Sequence, residues 1–209
     1  MNRGYFISFE GIDGSGKSTQ ITRLKKYFED KNYRVILTRE PGGTDIGEKI
    51  RQLILDPQNK SMTPMTEAML YAASRAQHVE EVIKPAIDDG KVVICDRFVD
   101  SSMAYQGYGR KLGESVDVIN SYAVNEYMPN LTFLINIEPD LSTERIGRRN
   151  KDRIELEKYE FHKAVYDGYK RLLDRFPDRI IEIDGSQTIE RIQEEITRHI
   201  EILIGETTL

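Results

Sequence analysis

A chain of 209 residues with 39% hydrophobic and 31% charged side chains is long enough to bury one substantial core and has the balance of a globular protein. Its formal net charge of −5 argues against a general nucleic-acid binder, so any positive charge that grips anions must be concentrated locally. The single cysteine, Cys95, excludes an intramolecular disulfide and fits a reducing cytoplasm, three scattered histidines leave no common zinc spacing, and neither a signal-peptide core nor an apolar run near the roughly 20 residues needed to span a bilayer is present.

The first apolar run, Tyr5-Phe6-Ile7-Ser8-Phe9, reads as a strand and leads into Gly11-Ile12-Asp13-Gly14-Ser15-Gly16-Lys17-Ser18. This is the G-x-x-x-x-G-K-S pattern in its strand–loop–helix setting. Glycines let the backbone curl so that N–H groups face phosphate oxygens, Lys17 reaches the β- and γ-phosphates, and the Ser18 hydroxyl can ligate Mg²⁺. A helix over about 17–31 adds its positive N-terminal end. The segment therefore predicts binding of a nucleoside triphosphate with magnesium.

Arg34–Thr38 reads as a second strand, ended by the turn Arg39-Glu40-Pro41-Gly42-Gly43. Thr44 or Asp45 caps a helix to about Leu55, whose apolar face is expected to comprise Ile46, Ile50, Leu53 and Ile54. A longer helix is expected over about 65–87, stopped by Asp89-Gly90. Val92–Asp96, Leu131–Ile137 and Ile180–Ile183 are continuous apolar runs suited to strands buried on both faces. Helices are expected at about 114–127, 141–149 and 155–176, and a final one carries Ile189, Ile192, Ile196, Ile200 and Leu203 along one stripe. Alternation of strands and helices predicts an α/β fold with a five-stranded parallel sheet flanked by helices on both faces. Ligands in such sheets gather beyond the strands' carboxyl ends, which places Asp13, Arg39, Asp96 and Arg97 around one crevice.

Asp96, at the end of an apolar strand, suits a magnesium-organising carboxylate or, alternatively, a turn cap. Arg97 beside it suits bidentate phosphate binding. Arg145, Arg148, Arg149, Lys151 and Arg153 form a basic cluster that reads either as a solvated face or as a lid closing over a triphosphate and excluding water. Asn150-Lys151-Asp152-Arg153 falls short of the guanine-reading N-K-x-D pattern, because Arg153 stands where Asp is required.

Taken together, Phe9–Thr19, Thr38–Gly43, Tyr71-Ala72-Ala73-Ser74-Arg75, Asp96–Gly107 and Asp152-Arg153-Ile154-Glu155 resemble the thymidylate kinase family in its own order over most of the chain. The resemblance implies the nucleoside monophosphate kinase version of the P-loop NTPase fold, one domain over 1–209 with a mobile lid at about 145–157. It further implies γ-phosphoryl transfer from ATP to dTMP with Mg²⁺, a homodimer and a cytoplasmic place in dTTP synthesis. Carried over by position, Gly11 to Thr19 and Arg145 would hold ATP, with Ser18 and Asp96 at the metal. Arg39, Arg51 and Arg97 would hold the dTMP phosphate, Tyr71 would stack on thymine, and Arg75 would bond its O4. Ser102 and Gln106 would contact the base edge, Tyr105 would lie against the sugar, and Asp13 would sit near the 3′-hydroxyl and the metal. Tyr71 and Arg75 share one helix face by their i,i+4 spacing, as do Ser102 and Gln106.

Two departures stand out. Gly14 occupies the place where some members carry a catalytic arginine, so the chain resembles the bacterial type, in which a lid arginine takes that role, and Arg153 is the residue the resemblance implies. The stacking position, often Phe, is Tyr71 here, and its hydroxyl needs a partner or water. The rival readings are another nucleotide or deoxynucleoside kinase, with Glu10 or Asp13 as base, and an ATP-driven switch protein.

Overall fold

The computed structural model describes residues 3–138 and 152–206. Its centre is a five-stranded, wholly parallel sheet in the order β2-β3-β1-β4-β5, made of β1 (Tyr5–Glu10), β2 (Val35–Arg39), β3 (Val92–Asp96), β4 (Leu131–Asn136) and β5 (Ile180–Asp184). Successive side chains alternate between two cores, as strand pleating requires. Ile7, Phe9, Val92, Ile94, Phe133 and Ile135 face one side, whereas Phe6, Val93, Cys95 and Leu134 face the other.

The first face is covered by α1 (Lys17–Asp30) and α8 (Ile189–Leu203), through Leu24 and Phe28 from one and Ile196 and Ile200 from the other. All four side chains are fully buried, each contributing about 1.5–3 kcal/mol of transfer free energy. The second face is covered by α3 (Pro64–His78) with its continuation, and by α7 (Tyr159–Arg175), which contributes Val165, Tyr169 and Leu172. Between them lie α2 (Asp45–Leu55), α5 (Val99–Ser102) and α6 (Glu114–Val124). Among the described residues no helix is long and apolar enough to cross a membrane.

The elements follow the sequence pattern with five differences. The helix expected over 65–87 is α3, a π-helical turn (Val79–Ile83) and the short α4 (Lys84–Asp88), because Pro85 lacks the N–H that an unbroken helix would use. Thr44 caps α2 by accepting the Gly47 N–H at 2.9 Å, yet Ile46 and Leu53 are half-exposed and Ile54 is the buried anchor, since only one edge of α2 packs on α3. Residues 99–109, where only the i,i+4 spacing of Ser102 and Gln106 points to a helix, are α5 followed by a second π-helical turn (Met103–Gly109). The helix expected from 155 begins at Tyr159, because Asp152 Oδ1 accepts the N–H groups of Ile154 and Glu155 and closes a separate turn first. Ile189, placed on the final buried stripe, is half-exposed. The helix expected at 141–149 lies outside the described residues.

Candidate active site

Strand register assembles the site. Asp96, at the carboxyl end of β3, pairs laterally with Phe9 of β1 and Arg39 of β2, so residues far apart in sequence open onto one crevice of about 570 Å³. The glycine loop forms one wall. Gly11 has φ +130, and a Cβ there would lie 2.4 Å from the Ile135 carbonyl oxygen, so only glycine lets the loop pass β4. Gly16, with φ 100, starts α1 with no side-chain cap, and the first turn carries no acidic residue. The N–H groups and the positive end of the helix are thereby left for an anion. Asp13, Gly14, Gly16, Lys17, Ser18 and Thr19 all line the crevice, while Gly11, Ile12 and Ser15 form the loop behind it.

Lys17 Nζ donates to the carbonyls of Gly11 and Ile12 at 3.0 and 3.1 Å. Burial and the neighbouring Arg97 push its pKa down, against the pull of Asp96, Asp13 and Glu10, to about 8. At neutral pH it is still a cation, ready for phosphate oxygens.

Arg97 stands at the middle of the crevice with φ 67, a left-handed conformation that side chains rarely adopt and that redirects the chain after β3. Its guanidinium donates to Asp13 Oδ1 at 2.9 Å, Tyr169 Oη at 3.2 Å and Ser101 Oγ at 3.3 Å, and lies 5.4 Å from the Tyr105 ring centroid. Behind it Glu10 is fully buried. It accepts from the Phe98 N–H (2.7 Å), Ser101 Oγ (2.6 Å) and Tyr169 Oη (2.8 Å). Burial and the nearby Asp100 carboxylate raise its pKa to about 7, despite Arg97 and these hydrogen bonds. Glu10 thus organises the Arg97 surround from within the core and does not line the crevice.

Arg39 and Arg51 line the same wall. Arg39 donates to both carboxylate oxygens of Glu48 at 2.8–2.9 Å, in an exposed pair of small net worth that an arriving phosphate can displace. Arg51 Nη1 donates to the Pro41 carbonyl at 2.9 Å, across the turn that begins with the cis Glu40–Pro41 peptide.

At the far end lie Tyr71, Arg75, Phe98, Tyr105 and Gln106. Arg75 is 1% exposed and anchored to Glu40 (2.7 Å), Ser102 Oγ (3.0 Å), the Phe98 carbonyl (3.0 Å) and Asn120, while its Nε has no partner among the described residues. Glu40 is itself held by His78 Nδ1 at 2.9 Å. Burial pushes the Tyr71 and Tyr105 phenols up, the latter to about 12, so both stay neutral.

Two residues depart from the sequence expectation. Ser102 does not line the crevice; its hydroxyl accepts from Arg75, whereas the neighbouring Ser101 reaches the wall. Arg153 is not brought to the phosphate-binding side either. Its Nη2 donates to Glu67 Oε2 at 2.7 Å and its Nε to the Ile54 carbonyl at 2.7 Å, because buried Glu67 requires cations around it. Of the expected lid, Asp152, Ile154 and Glu155 line the crevice. Arg145, Arg148, Arg149 and Lys151 lie outside the described residues. The supporting shell of Glu10, Glu40, Glu67, His78, Asn120 and Tyr169 was missed from sequence; Glu10 and Glu40 lay inside quoted motifs, whereas the partners of the other four are set only by packing.

Asp96 lines the crevice, and its Oδ1 is buried without a hydrogen-bond partner among the described residues. With the Ser18 hydroxyl on the same wall, this is a sparse, hard-oxygen donor set, which fits Mg²⁺ retaining several waters.

The thymidylate kinase family model matches residues 9–196. Similar chains include a thymidylate kinase of Clostridium novyi (strain NT), 48% identical over 94% of this chain and 98% of its own. One from Lactobacillus acidophilus is 46% identical over 99% of this chain and 98% of its own. The crystal structure of thymidylate kinase from Ehrlichia chaffeensis superposes with a TM-score of 0.77 at 32% identity, covering 95% of this chain and 99% of that one.

Proposed function

This chain belongs to the thymidylate kinase family, and on that premise we infer that it transfers the γ-phosphoryl group of ATP to dTMP, giving dTDP and ADP. The observation that carries the reading is one crevice holding, in order, a phosphate loop with Lys17, three arginines (Arg39, Arg51 and Arg97), and an aromatic end with Tyr71, Arg75 and Gln106. An ATP switch needs only the first of these.

The acceptor is a phosphate monoester with a second pKa of about 6, mostly dianionic at neutral pH, so a strong general base is unnecessary. Glu10, held behind Arg97 and out of the crevice, is also badly placed to take a proton from a nucleoside hydroxyl. Catalysis consists of aligning two anions and neutralising developing charge. Lys17 and the loop amides hold the donor. Arg97 holds the acceptor phosphate, with Asp13 fixing the guanidinium plane, and Arg39 and Arg51 close the other side. Tyr71 stacks on the base, Arg75 offers its unpartnered Nε at the base end, and Tyr105 flanks the sugar. Ser18 and Asp96 are the residues that would hold Mg²⁺, which supplies charge neutralisation across the transferring group when bound.

A homodimer is part of the proposal. Met69 on α3 and Val118 and Tyr122 on α6 are 56%, 58% and 82% exposed, on two helices that pack against each other, and these are the apolar side chains a second copy would cover. The nucleotide substrates and the lone buried Cys95 accord with a cytoplasmic enzyme. ADP formation measured with ATP, Mg²⁺ and a panel of dTMP, dUMP, dCMP, dGMP and thymidine tests the reading. A rate that rises with dTMP and falls to background with chelator is expected; a rate indifferent to every monophosphate overturns it.

A further inference from the structure

Glu67, on α3, is fully buried and is not part of the crevice wall, yet it sits at the centre of four hydrogen bonds. Its Oε1 accepts from Gln106 Nε2 at 2.9 Å and Arg110 Nε at 3.1 Å, and its Oε2 accepts from Arg110 Nη2 at 2.9 Å and Arg153 Nη2 at 2.7 Å. Burial pushes its carboxyl pKa up, but the bonds from Arg110, Gln106 and Arg153 outweigh burial and hold it below the usual carboxylate value. An ionised carboxylate has no hydrogen to give. The Gln106 atom facing it must therefore be the NH₂ group, and the amide has only one chemically allowed orientation. That orientation leaves Gln106 Oε1 buried and without a partner among the described residues, in a side chain that lines the base end of the crevice and is 1% exposed.

We propose that Glu67 is a positioning residue for base choice, fixing the Gln106 amide so that it presents an acceptor to a pyrimidine whose N3 carries hydrogen. A thymine or uracil ring supplies that hydrogen. A cytosine ring brings a lone pair at the same atom, so two acceptors would face each other in a dry site. Leaving a buried polar group unpaired is what makes such a site reject the wrong ring strongly. The assignment rests on the proposed dTMP reading and names what sets its selectivity.

Glu67→Gln tests it. The new amide keeps its oxygen towards the two guanidinium donors of Arg110 Nη2 and Arg153 Nη2 and turns its NH₂ towards Gln106, which lets that amide flip and present a donor to the base. The readout is the ratio of kcat/KM for dTMP to kcat/KM for 5-methyl-dCMP, which keeps the methyl group and changes only the N3 and C4 edge. The ratio should fall by about 10-fold or more, through KM, with kcat for dTMP held within about threefold. In a Gln106→Leu background the same Glu67 change should leave the ratio unmoved, and Glu67→Asp should retain most of the selectivity. Parallel losses for both nucleotides, with the ratio unchanged, overturn the proposal. Wild-type enzyme that ignores dTMP altogether overturns the underlying reading instead. Should Glu67→Gln not fold, the side-chain NH₂ resonance of Gln106 in the wild-type chain decides. Slow exchange that persists on adding dTMP supports the fixed amide, whereas exchange or shifts showing that the NH₂ meets the base refute it.

Discussion

Replacing Arg153 by alanine separates a structural arginine from a catalytic one. The side chain is 8% exposed, 2.7 Å from Glu67 Oε2 and 2.7 Å from the Ile54 carbonyl. Breaking a buried ion pair by removing one partner costs about 3–5 kcal/mol when the other is left alone. Glu67 is not left alone, because Arg110 still gives it two hydrogen bonds and Gln106 a third. The expected loss is therefore about 2–3 kcal/mol, which for a domain of this size corresponds to a Tm lower by about 4–12 °C. Thermal unfolding followed by circular dichroism gives the first quantity, and steady-state ADP formation well below the transition gives kcat. The structure predicts the Tm shift with kcat within about threefold of wild type. A charge-stabilising arginine at the transferring group would instead be worth about 10³–10⁵ in rate. A fall of that size with an unchanged Tm would refute the structural placement and show that Arg153 leaves Glu67 during turnover.

Arg97→Ala should raise KM for dTMP by about 10–150-fold, the worth of one charge-assisted contact of about 1.5–3 kcal/mol, with a smaller effect on KM for ATP in initial-rate measurements. Glu10 binds its proton more tightly in the folded chain, with a pKa raised to about 7. Its stabilising contribution is complete below the ordinary carboxylate pKa and is lost as pH rises to about 7, so urea unfolding should show stability declining over that window, by about 3 kcal/mol at most, and Glu10→Gln should flatten the decline. Tyr122→Asp, on the exposed face of α6, should convert a dimer to monomer in sedimentation velocity while leaving the Tm of the monomeric fold within a few degrees; an unchanged dimer would place the interface elsewhere.

The glycine loop, the Asp96-Arg97 step at the end of its strand and the apolar runs were legible because each is local. Gly11 to Ser18 carries its own backbone requirement, Val92–Asp96 its own burial pattern, and Tyr71 and Arg75 share a face by helical spacing alone. These suffice for the parallel sheet, the glycine-loop end of the crevice and the family. The polarity of the other end was settled only by packing. Whether Arg153 faces a phosphate or Glu67 depends on which buried carboxylate lies within reach, 86 residues away in sequence. Ser102 and Ser101 exchange roles for a similar reason: the Ser102 hydroxyl lies within reach of the buried Arg75 guanidinium and accepts from it, which leaves Ser101 on the crevice wall. Local pattern determines which elements form. Burial of charge, which must be satisfied by whatever the fold brings alongside, decides which of their polar groups remain for a substrate.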